Sequence, residues 1–131
     1  MALHTAMRFG DYDDLVFDLY VRDHRKLPPV GGLPDGTLAW FTIEDTRGEL
    51  VLTATMGHWI SVIDPAKALL RVAVPRTTIE DQIDLDGRDE LGGFKGELMV
   101  QTPSPNAWAS IQLRADITFE RSVNRAHNVG P

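Results

Sequence analysis

The sequence predicts an all-β protein, an antiparallel β-sandwich of about seven strands. The clearest observation is the segment Trp108–Arg121, where apolar and polar side chains alternate for about a dozen residues, as in a long, half-buried strand. At least five other segments show a weaker form of this alternation. Turns rich in proline and glycine separate the segments at a spacing of roughly 8–15 residues, and no segment has a convincing helical period.

The first predicted strand, Leu15–Arg22, places every second apolar residue on one face. A loop rich in proline and glycine, residues 27–36, ends it because proline lacks a backbone donor and glycine tolerates positive φ. The next two strands, Thr37–Glu44 and Glu49–Thr55, flank a glycine-containing turn and indicate a hairpin. The remaining predicted strands are His58–Ile63, Ala68–Val74, Phe94–Gln101 and Trp108–Arg121.

The last strand has the most specific predicted orientation. The side chains expected to face the core are Ile111, Leu113, Ala115, Ile117 and Phe119. The side chains expected to face solvent are Ser110, Gln112, Arg114, Asp116, Thr118 and Glu120. Between residues 76 and 93 the chain is polar and acidic, and Thr77–Glu80 has the pattern of a capping box that starts a helical turn.

The predicted organisation is a single domain with two extended arms. Residues 1–10 and 122–131 lack a clear period and are interpreted as an N-terminal arm and a C-terminal tail. Residues 11–121 form the β-sandwich. The length of 131 residues suits one domain and is sufficient to bury a core without disulfides.

Composition disfavours several classes of partner. The chain has 13 basic and 19 acidic residues, a formal net charge of −6, so nucleic acid is not an expected partner. The local basic cluster, residues 22–26, is interpreted as a solvated loop. No cysteine is present, which suits a reducing cytoplasm. The start of the chain lacks the apolar core of a signal peptide, and no membrane association is expected.

No residue pattern predicts catalysis, a cofactor or a metal, and the protein is not expected to be an enzyme. The four histidines lack the spacing of metal ligands. The segment Asp84–Gly87 resembles part of a calcium loop but fails at both ends of that motif. Asp81, Asp84, Asp86 and Asp89 remain candidates for an adventitious cation. Asp11, Asp13 and Asp14 would form an acid–base pair only across a cleft, which the sequence does not indicate.

The tryptophans are the most informative surface candidates. On the second predicted strand the alternation directs Leu38 and Trp40 outward, which predicts a partner-binding face. The alternative is a register shifted by one residue, with Trp40 in the core. Trp59 and Trp108 begin strands, where they would either stack on sugar rings or cap the core.

A family resemblance provides the functional expectation. Five segments occur in a familiar order: Pro29–Leu33, Ala39–Asp45, Gly48–Val51, Gly93–Val100 and Ile117–Val123. This order resembles the N-terminal domain of the phage baseplate upper protein family. The resemblance implies an immunoglobulin-like β-sandwich and a structural role in a tailed bacteriophage.

The resulting expectation is a non-enzymatic virion protein of the tail, baseplate, neck or fibre attachment. It would be made in the cytoplasm of the bacterial host and would contact other virion proteins and copies of itself, with arms that become ordered on assembly. Two alternatives remain open: a carbohydrate-binding module that aids adhesion to the host, and a head decoration protein.

Overall fold

A computed structural model describes residues 3–10, 13–85 and 91–120. These residues form an all-β fold of eight strands with one helix, which confirms the predicted class. The strands are β1 (Leu3–Gly10), β2 (Leu15–Tyr20), β3 (Leu38–Glu44), β4 (Leu50–Met56), β5 (Trp59–Asp64), β6 (Leu69–Val74), β7 (Phe94–Gln101) and β8 (Ala109–Glu120). The helix α1 (Arg76–Ile83) lies between β6 and β7.

The strands form one continuous, strongly curved sheet in the order β1-β8-β7-β3-β4-β5-β6-β2. Neighbouring strands are antiparallel except for β1–β8 and β4–β5, so the sheet is mixed. The β4–β5 junction is narrow, with only Thr55–Trp59 and Met56–Ile60 paired. Phe17 of β2 and Phe41 of β3 meet edge to face, with ring centroids 5.2 Å apart, although three strands separate them in the sheet. The sheet therefore nearly closes around its own core.

Each predicted strand corresponds to one of β2 to β8, but the prediction of about seven strands omitted β1. The prediction of an irregular arm over residues 1–10 is wrong for Leu3–Gly10, which pairs in parallel with β8. Met7 and Phe9 on β1 pack against the core, which explains why this segment is extended. The predicted tail, residues 122–131, lies outside the described residues.

A β-bulge in β8 corrects the predicted orientation of its first residues. Leu113 pairs with Leu98 and Ile111 with Met99, so Gln112 is one extra residue in β8. The alternation therefore reverses at this point. Ser110 and Gln112 are buried, and Ile111 is half-buried on the outer face. Beyond the bulge, the inward residues agree with the prediction: Leu113, Ala115, Ile117 and Phe119.

The helix α1 covers the core with Ile79 and Ile83. It begins at Arg76, after Pro75, and not at the predicted capping box. Proline suits this boundary because its fixed φ is compatible with a helix start. Asp14, from the loop before β2, accepts a hydrogen bond from the Arg76 amide at 2.8 Å. Among the described residues, no helix has the length and apolar character needed to cross a bilayer.

Candidate functional site

Leu38 and Trp40, which the alternation predicted to face outward, lie on the outer face of β3. Ala39, Phe41 and Ile43 are at most 1% exposed, whereas Leu38 is 48% exposed and Trp40 is half-buried on the opposite face. The predicted register of this strand is therefore correct, and the alternative that buries Trp40 in the core is wrong. The partner-binding role of Leu38 and Trp40 remains a prediction.

Neighbouring strands extend this pair into a larger apolar surface. Met99 of β7 lies directly opposite Trp40, and Ile111 of β8 lies opposite Met99. Ile111 joins the outer face because the bulge at Gln112 reverses the alternation of β8. Leu38, Trp40, Met99 and Ile111 are called the apolar row below. The row crosses three adjacent strands, so it forms a contiguous surface and not scattered side chains.

A surface cleft of about 630 Å³ lies beside the apolar row. Its lining residues are His4, His24, Lys26, Met99, Ala109, Ser110, Ile111 and Arg114. It is called the basic cleft below, because its charged and titratable lining residues are all basic and no carboxylate lines it among the described residues. The basic cleft and the apolar row share Met99 and Ile111, so the two features are parts of one surface.

Lys26 has an unusual backbone and a fixed side chain in this cleft. Its φ is 65°, a left-handed conformation that costs a non-glycine residue about 1–2 kcal/mol. Its Nζ donates hydrogen bonds to Ser110 Oγ at 2.9 Å and to the Ile111 carbonyl at 3.3 Å. Both acceptors are uncharged, and in the described part of the chain no ion pair to Lys26 is present. The ammonium charge is therefore held in place without being neutralised.

Asp23 organises the turn that carries Lys26. Its buried carboxylate accepts hydrogen bonds from the amides of Arg25 at 2.8 Å and Leu27 at 3.1 Å. The Lys26 amide also donates to the Asp23 carbonyl. Burial raises the pKa of Asp23, but these two amide hydrogen bonds and the charge of Arg25 outweigh it and lower the pKa below its ordinary value. The turn is thus stabilised by an ionised, buried carboxylate.

Farther along the same outer face, the charged side chains neutralise one another. Arg114 and Glu97 lie 3.5 Å apart, and His4 and Asp116 lie 3.1 Å apart. Lys95 forms a further ion pair with Asp116. The hydrogen bond from Lys95, followed by that from His4, lowers the pKa of Asp116. Lys26 therefore differs from Arg114 and His4, which also line the basic cleft, in having no carboxylate partner among the described residues.

All three tryptophans are half-buried. Trp59 and Trp108 pack against the core, whereas Trp40 lies on the outer face. Trp59 also has a positive φ of 75°, and its ring centroid lies 3.9 Å from that of His58. This packing favours the alternative in which both side chains cap the core, because a sugar platform needs an exposed ring face. Their proposed role in sugar stacking stays a prediction.

The other candidates for chemistry do not converge on one site. Within the described ranges, no group of three histidine, aspartate or glutamate side chains is placed to hold a metal ion. Asp81 and Asp84 are exposed, whereas Asp86 and Asp89 lie outside the described residues. Asp13 is exposed, Asp14 caps α1, and Asp11 lies outside the described residues.

The structure brings together two histidines that the sequence left unassigned. His4 from β1 and His24 from the β2–β3 loop both line the basic cleft. The His58 ring contacts the Trp59 ring at a tilted angle, and His127 lies outside the described residues. The basic cluster at residues 22–26 is the sequence signal for this cleft, but it is short and interrupted by Asp23, and it was therefore interpreted as a solvated loop.

No protein-family model matches the chain, and no curated protein shows significant similarity to it.

Proposed function

We propose that this protein is a non-enzymatic structural component of a tailed-bacteriophage virion that acts through protein–protein contacts. The observation that carries the proposal is the apolar row on the outer face of the sheet. The proposed role places the protein in the tail, baseplate or neck or at a fibre attachment, in contact with other virion proteins and with copies of itself. It is made in the cytoplasm of the bacterial host.

The strand order supports an immunoglobulin-like β-sandwich as the scaffold for this role. The narrow β4–β5 junction divides the order into β1-β8-β7-β3-β4 and β5-β6-β2. If β2 to β8 take the roles B, C, C′, D, E, F and G in chain order, the two groups contain the strand sets GFCC′ and BED. These sets are the two layers of an immunoglobulin domain with a C′ strand. The contact between Phe17 and Phe41 would then join the layers.

The apolar row supports a protein partner because a solvated sheet face normally carries polar side chains. Leu38 is 48% exposed, and Trp40 belongs to the residue types that commonly anchor protein interfaces. The row lies on three hydrogen-bonded strands whose opposite faces are buried in the core, so its side chains are presented by a rigid support. A rigid, apolar surface of this kind suits permanent assembly contacts.

Mass spectrometry of gradient-purified phage particles tests this function. The expected result is a set of peptides from this protein at a stoichiometry comparable to that of known tail proteins. Absence from the particle band, with soluble protein remaining in the lysate, would overturn the proposal. It would also favour the alternatives of a carbohydrate-binding module or a cellular protein.

A second experiment tests the apolar row as an assembly contact. A phage that encodes the double substitution Leu38→Ser and Trp40→Ser should produce particles that lack this protein, while the variant protein remains folded. The matched control is Val16→Ser, since Val16 is 46% exposed on β2 and lies outside the apolar row. Normal incorporation of the double variant would exclude the apolar row as an assembly contact.

A further inference from the structure

The basic cleft differs from the chain as a whole in its charge. The protein has six more Asp and Glu residues than Lys and Arg residues, yet one lysine, one arginine, two histidines and no acidic side chain line this cleft among the described residues. Glu97 and Asp116 pair with Arg114 and His4 from the neighbouring part of the face. The charge of Lys26 remains available, since its two hydrogen-bond acceptors are neutral.

Lys26 has a backbone conformation that disfavours its side chain. Glycine would adopt the left-handed conformation without steric cost, whereas lysine is strained there. Strained residues that a surrounding structure holds in place are frequent at ligand-binding positions. The turn organised by Asp23 and the hydrogen bonds to Ser110 and Ile111 hold this ammonium at the cleft.

The apolar residues of the cleft indicate that its ligand also has an apolar group. Met99 and Ile111 line the cleft and also belong to the apolar row, so a ligand that contacts Lys26 meets an apolar surface at once. A free inorganic anion would leave this surface uncovered. A polypeptide segment with a carboxylate beside an apolar side chain would both pair with the Lys26 ammonium and cover the apolar surface.

We propose that the basic cleft binds an acidic segment of a partner protein, with a carboxylate on Lys26 and an apolar side chain on Met99 and Ile111. This inference deepens the proposed function, on which it rests, because it names the chemistry of the partner. Cleft-to-cleft pairing of two copies would place like charges together and is disfavoured. The segment 121–131 of this chain contains Arg121, Arg125 and His127 but no acidic residue, so it lacks the complementary charge.

Fluorescence anisotropy with the isolated, full-length protein tests the proposal. The probe is a labelled synthetic peptide composed of glutamate and leucine, and the matched peptide has glutamine in place of glutamate. We expect the acidic peptide to bind and the glutamine peptide to bind about tenfold more weakly, because glutamine can still accept a hydrogen bond from Lys26 but lacks the negative charge that strengthens it. Binding of the acidic peptide should also weaken as salt is added.

Two substitutions at Lys26 separate binding from folding. Lys26→Met removes the charge but retains much of the side-chain volume, and it should weaken binding of the acidic peptide about tenfold. Lys26→Gly also removes the charge while relieving the left-handed backbone strain, so it should lose binding and remain folded. The control is Lys67→Met, because Lys67 is exposed in the β5–β6 turn, outside the cleft.

The possible outcomes distinguish this inference from the proposed function. Equal binding of both peptides, or unchanged binding by the Lys26 variants, would overturn the acidic-segment site even if the protein occurs in virions. Self-association of the protein that Lys26→Met abolishes would also overturn it, in favour of a second copy as the occupant. Specific binding by a protein that is absent from virions would support the site and reject the virion role.

Discussion

Gln112 forms two hydrogen bonds with the backbone of Arg22. Its Oε1 accepts from the Arg22 amide at 2.8 Å, and its Nε2 donates to the Arg22 carbonyl at 2.7 Å. Arg22 follows β2, at one end of the sheet order, whereas Gln112 lies in β8, near the other end. The side-chain amide therefore links the two ends of the curved sheet as a neighbouring backbone would. The bulge that turns Gln112 inward makes this link possible.

Replacement of Gln112 by alanine should destabilise the protein by about 1–3 kcal/mol, because both backbone groups of Arg22 lose their partner in a partly buried setting. Urea unfolding followed by circular dichroism measures the change in the free energy of unfolding. The control is Gln101→Ala, at an exposed position at the end of β7. An equal, small effect of both substitutions would show that the link contributes nothing to stability.

Gln112 also shows why the alternation of β8 predicted the strand but not its whole orientation. Period-two patterns identify strands because side chains alternate across a sheet. One extra residue reverses the alternation, and the sequence WASIQL carries no clear mark of such an insertion. β1 was missed for a different reason. It pairs with a strand more than one hundred residues away, so its extended state depends on tertiary contacts and not on local propensity.

The candidate site was predictable only in part. The outward direction of Leu38 and Trp40 followed from alternation along one strand. The basic cleft could not be predicted in this way, because His4, Lys26 and Arg114 come from three segments that only the folded sheet brings together. The left-handed backbone of Lys26 also gives no signal in the sequence, since lysine is not a residue that favours this conformation.

Gly96 should not tolerate a side chain. A Cβ atom at this buried position on β7 would lie 2.8 Å from Ile117 Cδ1 and 3.0 Å from Phe41 Cζ. The substitution Gly96→Ala should therefore destabilise the protein by about 1–3 kcal/mol through overpacking, as measured by urea unfolding. Gly92→Ala is the control, because its Cβ would make only ordinary contacts with the Thr118 side chain, at 3.5 Å from Oγ1 and 3.9 Å from Cγ2. A stable Gly96→Ala variant would show that Ile117 and Phe41 can move aside.

Asp14 should stabilise α1 from outside the helix. Its carboxylate accepts a hydrogen bond from the Arg76 amide, and Pro75 provides no side-chain cap. The substitution Asp14→Ala should cost about 1 kcal/mol and increase hydrogen exchange of the Arg76 amide. Asp14→Asn keeps an acceptor and should have a smaller effect. Unchanged exchange in Asp14→Ala would exclude the cap, and Asp13→Ala serves as the exposed control.

The ion pair between Asp18 and Arg71 should make stability depend on pH in acid. These residues lie opposite each other on β2 and β6, with Nε–Oδ1 and Nη2–Oδ2 distances of 2.8 and 3.0 Å. The hydrogen bonds from Arg71 lower the pKa of Asp18 below its ordinary value of 3.8. A lowered pKa in the folded state stabilises the protein above pH 3.8, and this contribution is lost as the pH falls further.

Urea unfolding over a series of acid pH values checks this dependence. The midpoint should fall with decreasing pH in the natural protein and fall less in the Asp18→Asn variant, which has no group to titrate at this position. Asp35→Asn is the control, because Asp35 is an exposed residue of the β2–β3 loop. Identical pH profiles for the natural protein and Asp18→Asn would contradict a contribution from this pair.

Substitution of Trp108 should destabilise the protein more than substitution of Trp40. Trp108 packs against the core, so Trp108→Ala should destabilise the protein by up to about 3 kcal/mol. Trp40 lies on the outer face opposite Met99 and Thr55, and its loss should cost less than about 1 kcal/mol. Urea unfolding of both variants, together with binding to a glycan array, separates the two roles. A fully stable Trp108→Ala variant that has lost glycan binding would contradict the core role and support the carbohydrate-binding alternative, since a sugar platform contributes to affinity without supporting the fold.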